Sequence, residues 1–177
     1  MAEQKSIITQ EMKAEIGKPH PPRSIRAEAS QIRRFAKSLE DPNRIYYDEA
    51  YARTTRYGGV IAPPIFLSAL GSGLPVPTHI DPPPPMRDVF SQDGGVSINL
   101  SNEWELFEPI RPGDVIIHEA MLTDLREKAG RAGPMIILET RNTYTNQYGR
   151  VVATNIHTRT RQYRTPEALA EAIERSR

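Results

Sequence analysis

Between Asp41 and Asp48 the chain sets a carboxylate, a carboxamide and a phenol in close succession, Asp41, Asn43 and Tyr46, with Asp48 as a second acid. A carboxylate can orient or activate water. A phenol can donate a hydrogen bond, but its ordinary pKa of about 10 leaves it almost wholly protonated at neutral pH and a poor base. Further on, Gly58-Gly59 leads through Val60, Ile61 and Ala62 into Pro63-Pro64 and the apolar run Ile65-Phe66-Leu67. A polar loop, a glycine pair and a proline-led apolar segment, in that order, build a polar site against the start of a buried helix. A plainer reading stands beside it, in which Asp41 caps the chain where it leaves a helix and Tyr46 packs as a loop aromatic.

The elements that must hold this loop follow from periodicity. Ile32, Phe35, Ala36 and Leu39 fall at helical spacing with Arg33, Arg34 and Lys37 facing away, so a helix from about Ala27 precedes the loop, and Pro42 ends it. A short helical turn is expected from Glu49 to Arg53. Ile61 to Leu70 reads as a helix buried on nearly all sides, with Pro63 and Pro64 tolerated in a first turn whose amides lack partners anyway. Gly71-Ser72-Gly73 stops it, and Pro75, Pro77 and Pro82 to Pro85 form a stiff surface loop. After Gly94-Gly95 the pattern alternates. Val96 to Leu100, continued by Trp104, Leu106 and Phe107, and then Val115 to Asp124, Pro134 to Thr145 and Arg150 to Tyr163 read as strands joined by glycine-bearing turns, an antiparallel meander. Residues 1–13 read as a frayed or loosely docked leader, and Ile16 to Pro22 as extended chain held out of the helical region by its prolines. Residues 165–177 read as a C-terminal helical tail capped by Thr165. The class is therefore α+β, one domain over residues 14–164, with a curved antiparallel sheet available to wrap one apolar helix.

Composition narrows the function. With 23 basic and 22 acidic residues mixed along the chain, the net charge of +1 argues against a nucleic-acid partner. No apolar run reaches the length of a membrane span and the first residues lack the apolar centre of a signal peptide, so no membrane association and a cytoplasmic location are expected. The absence of cysteine removes disulfides, thiolate zinc sites and a cysteine nucleophile together. Of the histidines, His20 reads as a surface loop residue and His118 and His157 as strand residues, and none has acids or histidines at metal spacing, so no metal is expected.

In order and spacing, Ile32-Arg33-Arg34-Phe35-Ala36, the Asp-x-Asn loop with Tyr46-Tyr47-Asp48, Tyr57-Gly58-Gly59-Val60-Ile61-Ala62-Pro63-Pro64, Glu103 through Asp114, and Tyr144-Thr145-Asn146-Gln147 with Gly149 and Val152-Ala153 resemble the MaoC-like hydratases and dehydratases, most closely the FAS1-like dehydratase domain. The resemblance implies a hot-dog fold and reversible addition of water to an α,β-unsaturated acyl thioester. In catalytic members the first loop runs Asp-x-Asn-Pro-x-His. Asp41 and Asn43 match; Arg44 stands in place of the proline, and Tyr46 in place of the histidine.

That exchange matters because hydration needs a group to take a proton from water, another to deliver one to the α-carbon, and a donor for the thioester oxygen. The resemblance assigns the donor role to the backbone amides of Gly59, Val60, Ile61 and Ala62, and an acyl channel to Pro64, Phe66 and His79. It implies no cofactor, coenzyme A or acyl carrier protein as carrier, and a homodimer or a heterodimer with a second MaoC-like subunit. Three expectations follow: a hydratase subunit whose histidine lies on a partner hot-dog, a self-sufficient homodimer using Asp41 with Tyr46 or Asn43, and a non-catalytic thioester binder. A hot-dog thioesterase fits less well, since Ile65 to Leu70 holds no acid.

Overall fold

The computed structural model describes residues 6–70, 96–130 and 133–163, together with Ala170 and Glu174. Helices α1 (Gln10–Ala14), α2 (Ala29–Ser38), α3 (Glu49–Arg53) and α4 (Phe66–Leu70) accompany strands β1 (Arg23–Arg26), β2 (Val96–Leu106), β3 (Val115–Gly130), β4 (Gly133–Thr145) and β5 (Val151–Gln162). The strands form one sheet in the order β1-β3-β4-β5-β2, antiparallel throughout. The expected meander is present, with β3 running past the expected end at Asp124 to bring Gly130 opposite Gly133. Among the described residues no helix is long and apolar enough to cross a membrane. The expected glycine stop, the proline tract, His79 and all of the C-terminal tail except Ala170 and Glu174, both helical, lie outside the described residues.

Strand β1 has no counterpart in the sequence reading. Four residues, two of them arginines, carry no usable period, and their pairing with Val115 to His118 is what makes them a strand. The leader also differs from expectation. Thr9 caps α1 by accepting the Met12 amide at 3.0 Å, and the Glu127 carboxylate accepts from Ser6 Oγ (2.9 Å) and the Ile7 amide (3.1 Å). Ile7 and Met12 are buried against Leu122, Ile136, Leu138 and Tyr163, so this segment is docked into a core rather than frayed.

A second cluster packs α2 and α4 on the sheet, with Ile32, Phe66 and Leu67 against Ile116, Tyr144 and Ala153. The α2 stripe is narrower than its spacing suggested: Ile32 and Ala36 are buried, but Leu39 is exposed because it is the C-cap, one residue beyond the helix. Helix α4 starts at Phe66 rather than at Ile61. Pro63 and Pro64 bias the residue before each of them away from helical backbone, and the chain from Val60 to Ala62 spends its amides elsewhere. Nor is this segment buried all round, since Ile65 and Ser68 face solvent.

Between the two clusters the sheet carries a polar chain. Along β4 alternate positions run Ile136, Leu138, Thr140, Asn142, Tyr144. His118 Nε2 lies 2.8 Å from Asn142 Oδ1, Asn142 donates to Asn155 Oδ1 at 3.1 Å, and Asn155 donates to Asn102 Oδ1 (3.3 Å) and the Glu103 carbonyl (3.2 Å). Because the Asn142 amide nitrogen is turned to Asn155, its oxygen faces the imidazole, which places the proton on Nε2. The His118 ring stacks on Tyr144 (4.7 Å between centroids), which stacks on Trp104 (5.5 Å). Both strand histidines are thus hydrogen-bonded within the sheet, His157 to Asn99 at 3.0 Å.

Two outcomes are expected. Ile7→Ala should cost about 2–5 kcal/mol in urea unfolding, as for a buried core isoleucine, whereas a loosely docked leader would show almost no change. Burial holds the His118 pKa below its ordinary 6.5, against the opposing Asn142 bond, and burial also lowers His157. Below pH 6.5 the unfolded chain therefore takes up protons that the folded chain refuses; this contribution is full above that value and is lost as pH falls through the folded pKa. The thermal midpoint should fall between pH 8 and pH 5, and His118→Gln, which can still donate to Asn142, should flatten the curve; an unchanged slope would refute the assignment.

Candidate functional site

Helix α2 delivers the Asp41 loop through a defined stop. The Glu40 amide donates to the Lys37 carbonyl (3.0 Å) and the Asp41 amide to the Ala36 carbonyl (3.3 Å), with Glu40 in left-handed backbone at φ 53°. Asp41 Oδ1 then accepts the Asn43 amide at 2.9 Å, Asn43 Oδ1 accepts the Ile45 amide at 3.2 Å, and the Tyr47 hydroxyl donates to the Asp41 carbonyl at 2.9 Å. The loop closes as a single 3-10 turn, Arg44–Tyr46, for which Asn43 is the cap. Asp48 caps α3 by accepting the Tyr51 amide (3.0 Å) and pairs with Arg44 at 2.6 Å; these contacts, the Tyr51 amide foremost, hold its carboxyl below the usual range. Each polar side chain that matches the motif therefore has a turn or a cap to build.

Tyr46 is buried with Ala36, Ile45, Ala52 and Ile61. Burial first, and the nearby Asp41 charge second, push its phenol above 10, away from any use as a neutral-pH base. Its hydroxyl makes no hydrogen bond among the described residues, where no fully buried side-chain polar atom is left unpaired, so the hydroxyl itself reaches solvent. Of the four expected amide donors, Val60 bonds to Glu49 Oε2 (3.4 Å), Ile61 to the Ile45 carbonyl (3.4 Å) and Ala62 to the Ile110 carbonyl (2.8 Å). Only the amide of buried Gly59 makes no such bond among the described residues.

On the far side of this extended segment lies a cavity of about 280 Å³. Its inner wall is apolar: Ile61, Ala62 and Leu67, Ile110 from the loop after β2, and Val152 and Ala153 of β5. Its ionisable groups are Arg56, Tyr57 and Glu108. Of the expected channel residues, Pro64 lines it; Phe66 instead packs edge-on against Phe35 at 5.6 Å. Asp41, Asn43 and Tyr46 are not part of the lining. The sequence reading gave no role to Arg56 and Glu108, although Arg56 adjoins the quoted stretch from Tyr57 and Glu108 lies within the stretch from Glu103 to Asp114.

An α+β domain whose antiparallel sheet packs on a proline-led helix, with an apolar cavity between them, is a hot-dog, and solved structures agree. The chain is similar to the (R)-hydratase from A. caviae involved in PHA biosynthesis (28% identity, 82% of this chain and 95% of that one, TM-score 0.58) and to a chain of the ChsH1-ChsH2 complex from Mycobacterium tuberculosis (22% identity, 83% and 85%, TM-score 0.66). The model of the FAS1-like dehydratase domain region matches residues 14–155, and the chain belongs to that family of MaoC-like hot-dog proteins. It is also 32% identical over 112 residues to a UPF0336 protein of Thermobifida fusca, covering 62% of this chain and 66% of that relative.

The two parts Tyr46 can play separate cleanly in variants. Tyr46→Phe keeps the packed ring and should leave stability within about 0.5 kcal/mol, whereas Tyr46→Ala should cost about 3–5 kcal/mol. Loss of turnover in Tyr46→Phe with an unchanged melting curve would give the hydroxyl a chemical role.

Proposed function

We propose that this chain is a subunit of an enoyl-thioester hydratase or 3-hydroxyacyl-thioester dehydratase, supplying acyl-binding space while a partner hot-dog supplies the histidine. One observation carries the reading: the cavity is apolar inside, yet the loop that matches the hydratase motif has a buried tyrosine for its histidine and does not line the cavity. Hydration in this space by the chain alone would have to proceed without the motif's acid and base. An apolar wall can hold the acyl group; it cannot move protons.

The sheet edge supports the need for a partner. Among the described residues β2 pairs with β5 alone, and it presents exposed Val96, Ile98, Leu100 and Leu106, Leu100 at 55%, with Phe107 beyond its end at 56%. A long apolar edge is a site for pairing with another chain. The two-component complex among the similar structures is consistent with a second hot-dog as that chain.

The test is crotonyl-CoA hydration by the purified chain and by the complex formed with a MaoC-like protein whose first loop reads Asp-x-Asn-Pro-x-His. The chain alone should lack turnover, and the complex should gain about a hundredfold to ten-thousandfold, the usual contribution of a positioned acid or base. Full turnover by the isolated chain, abolished by Asp41→Asn, would replace this proposal with a self-sufficient homodimer.

A further inference from the structure

Adding water to an enoyl thioester puts charge on the thioester oxygen. As the water oxygen bonds to the β-carbon, the double-bond pair moves toward the carbonyl, whose oxygen carries negative charge until the α-carbon takes its proton. A donor must meet that oxygen. The amides expected to supply it are spent elsewhere: Val60, Ile61 and Ala62 bond to Glu49, Ile45 and Ile110, and Gly59, whose amide is left over, does not line the cavity. The amides of Phe107 and Glu108 do not serve either, since both donate to the Val152 carbonyl, at 2.9 and 3.3 Å.

The residues that line the cavity narrow the choice further. Only Arg56, Tyr57 and Glu108 among them have polar side chains. Glu108 is a carboxylate, which accepts and cannot donate, and its oxygens are taken by Arg150 at 3.2 Å and the side-chain amide of Asn146 at 3.4 Å. Arg56 Nη2 lies 2.6 Å from the Tyr57 hydroxyl oxygen, and a guanidinium has no lone pair to offer, so the arginine donates and the phenol accepts. The phenol hydrogen is left out of this bond. It meets no acceptor among the described residues. Tyr57 is also the better fixed of the two, with its ring half-buried against the cluster of Ile45 and Tyr46, whereas Arg56 is exposed and lies over that ring, 4.8 Å from its centroid.

We infer that the Tyr57 hydroxyl is the donor that meets the thioester oxygen, with Arg56 as the positioning residue whose bond turns the phenol hydrogen toward the substrate. The inference rests on the acyl-thioester reading above and names what this chain gives to the reaction besides an apolar wall. Donating a hydrogen bond asks a phenol only to stay protonated, the state in which it is of no use as a base. The proton for the α-carbon still comes from the partner hot-dog. A hydroxyl that accepts from a cation is polarised and donates more strongly in turn, so the Arg56 bond serves strength as well as direction.

The experiment uses the full-length chain and crotonyl-CoA isotope-labelled at the thioester carbonyl carbon, followed by infrared difference spectroscopy. Binding to the unaltered chain should lower the carbonyl stretching frequency, as a donor polarises that bond. Tyr57→Phe keeps the packed ring and should remove most of the shift, with an unchanged melting curve and an affinity weakened by no more than about tenfold, the worth of one neutral hydrogen bond. Arg56→Met should remove part of it. Tyr51→Phe, on α3 and outside the lining, should leave it alone. In the complex described above, Tyr57→Phe should lower kcat about a hundredfold or more while KM moves little, because the bond strengthens as charge builds. An unchanged shift or an unchanged kcat in Tyr57→Phe overturns the inference, and a shift that survives Tyr57→Phe but disappears in Arg56→Met hands the role to the guanidinium. A bound carbonyl with no shift in the unaltered chain also overturns it, and all of these leave the acyl cavity standing. Failure of the unaltered chain to bind crotonyl-CoA at all would remove the acyl-thioester reading itself, and the donor with it.

Discussion

The rest of the site depends on a constraint imposed by Pro63-Pro64. Neither proline offers an amide, and each biases the residue before it away from helical backbone, so the chain reaches α4 as an extended segment. Extended backbone must place its amides somewhere. Those of Val60, Ile61 and Ala62 go to Glu49, Ile45 and Ile110, which stitches the motif loop to one side of the segment and the end of the β2–β3 connection to the other. A single extended segment therefore stands between the tyrosine-rich cluster of the loop and the apolar cavity. Ile61 belongs to both, buried with Tyr46 and lining the cavity.

This arrangement bears on how the motif residues should be weighed. The side chains of Asp41 and Asn43 each accept a backbone amide within the loop, and loss of such a cap costs about 1 kcal/mol on its own. Their presence is thus explained without catalysis. Tyr46 has an equally sufficient reason to be aromatic, because its ring fills the space among Ala36, Ala52 and Ile61. The plainer of the two sequence readings, a cap and a packed aromatic, was made for Asp41 and Tyr46, and the Asn43 cap adds to it a role the sequence reading did not give.

Much of the fold was legible because its signals are periodic. The inward residues Ile32 and Ala36 and the alternation through β4 and β5 report burial directly, and the stop before the loop lies where Pro42 puts it; the caps at Asn43 and Asp48 were not anticipated. The misses share a cause: they depend on partners distant in the chain. β1 exists only through its pairing with β3, and Ile7 and Met12 looked like scattered apolar residues until β3 and β4 supplied a surface for them. The start of α4 was misplaced because proline at a first helical position is compatible with a helix, yet does not require one upstream. For the site, sequence spacing singled out the segment from Gly59 to Ala62 but not the destinations of its amides, and without those Arg56 and Glu108 could not be set against their neighbours.

Burial also bears on which side chains could move protons. A proton-transfer site needs groups that titrate near neutrality, and here burial drives Tyr46 upward and His118 downward, while Tyr144 is raised to about 12. Each shift moves a potential acid or base further from use at pH 7, since an efficient one has a pKa near the working pH. Tyr46, Tyr144 and His118 are accordingly poorly suited to exchanging protons near neutral pH.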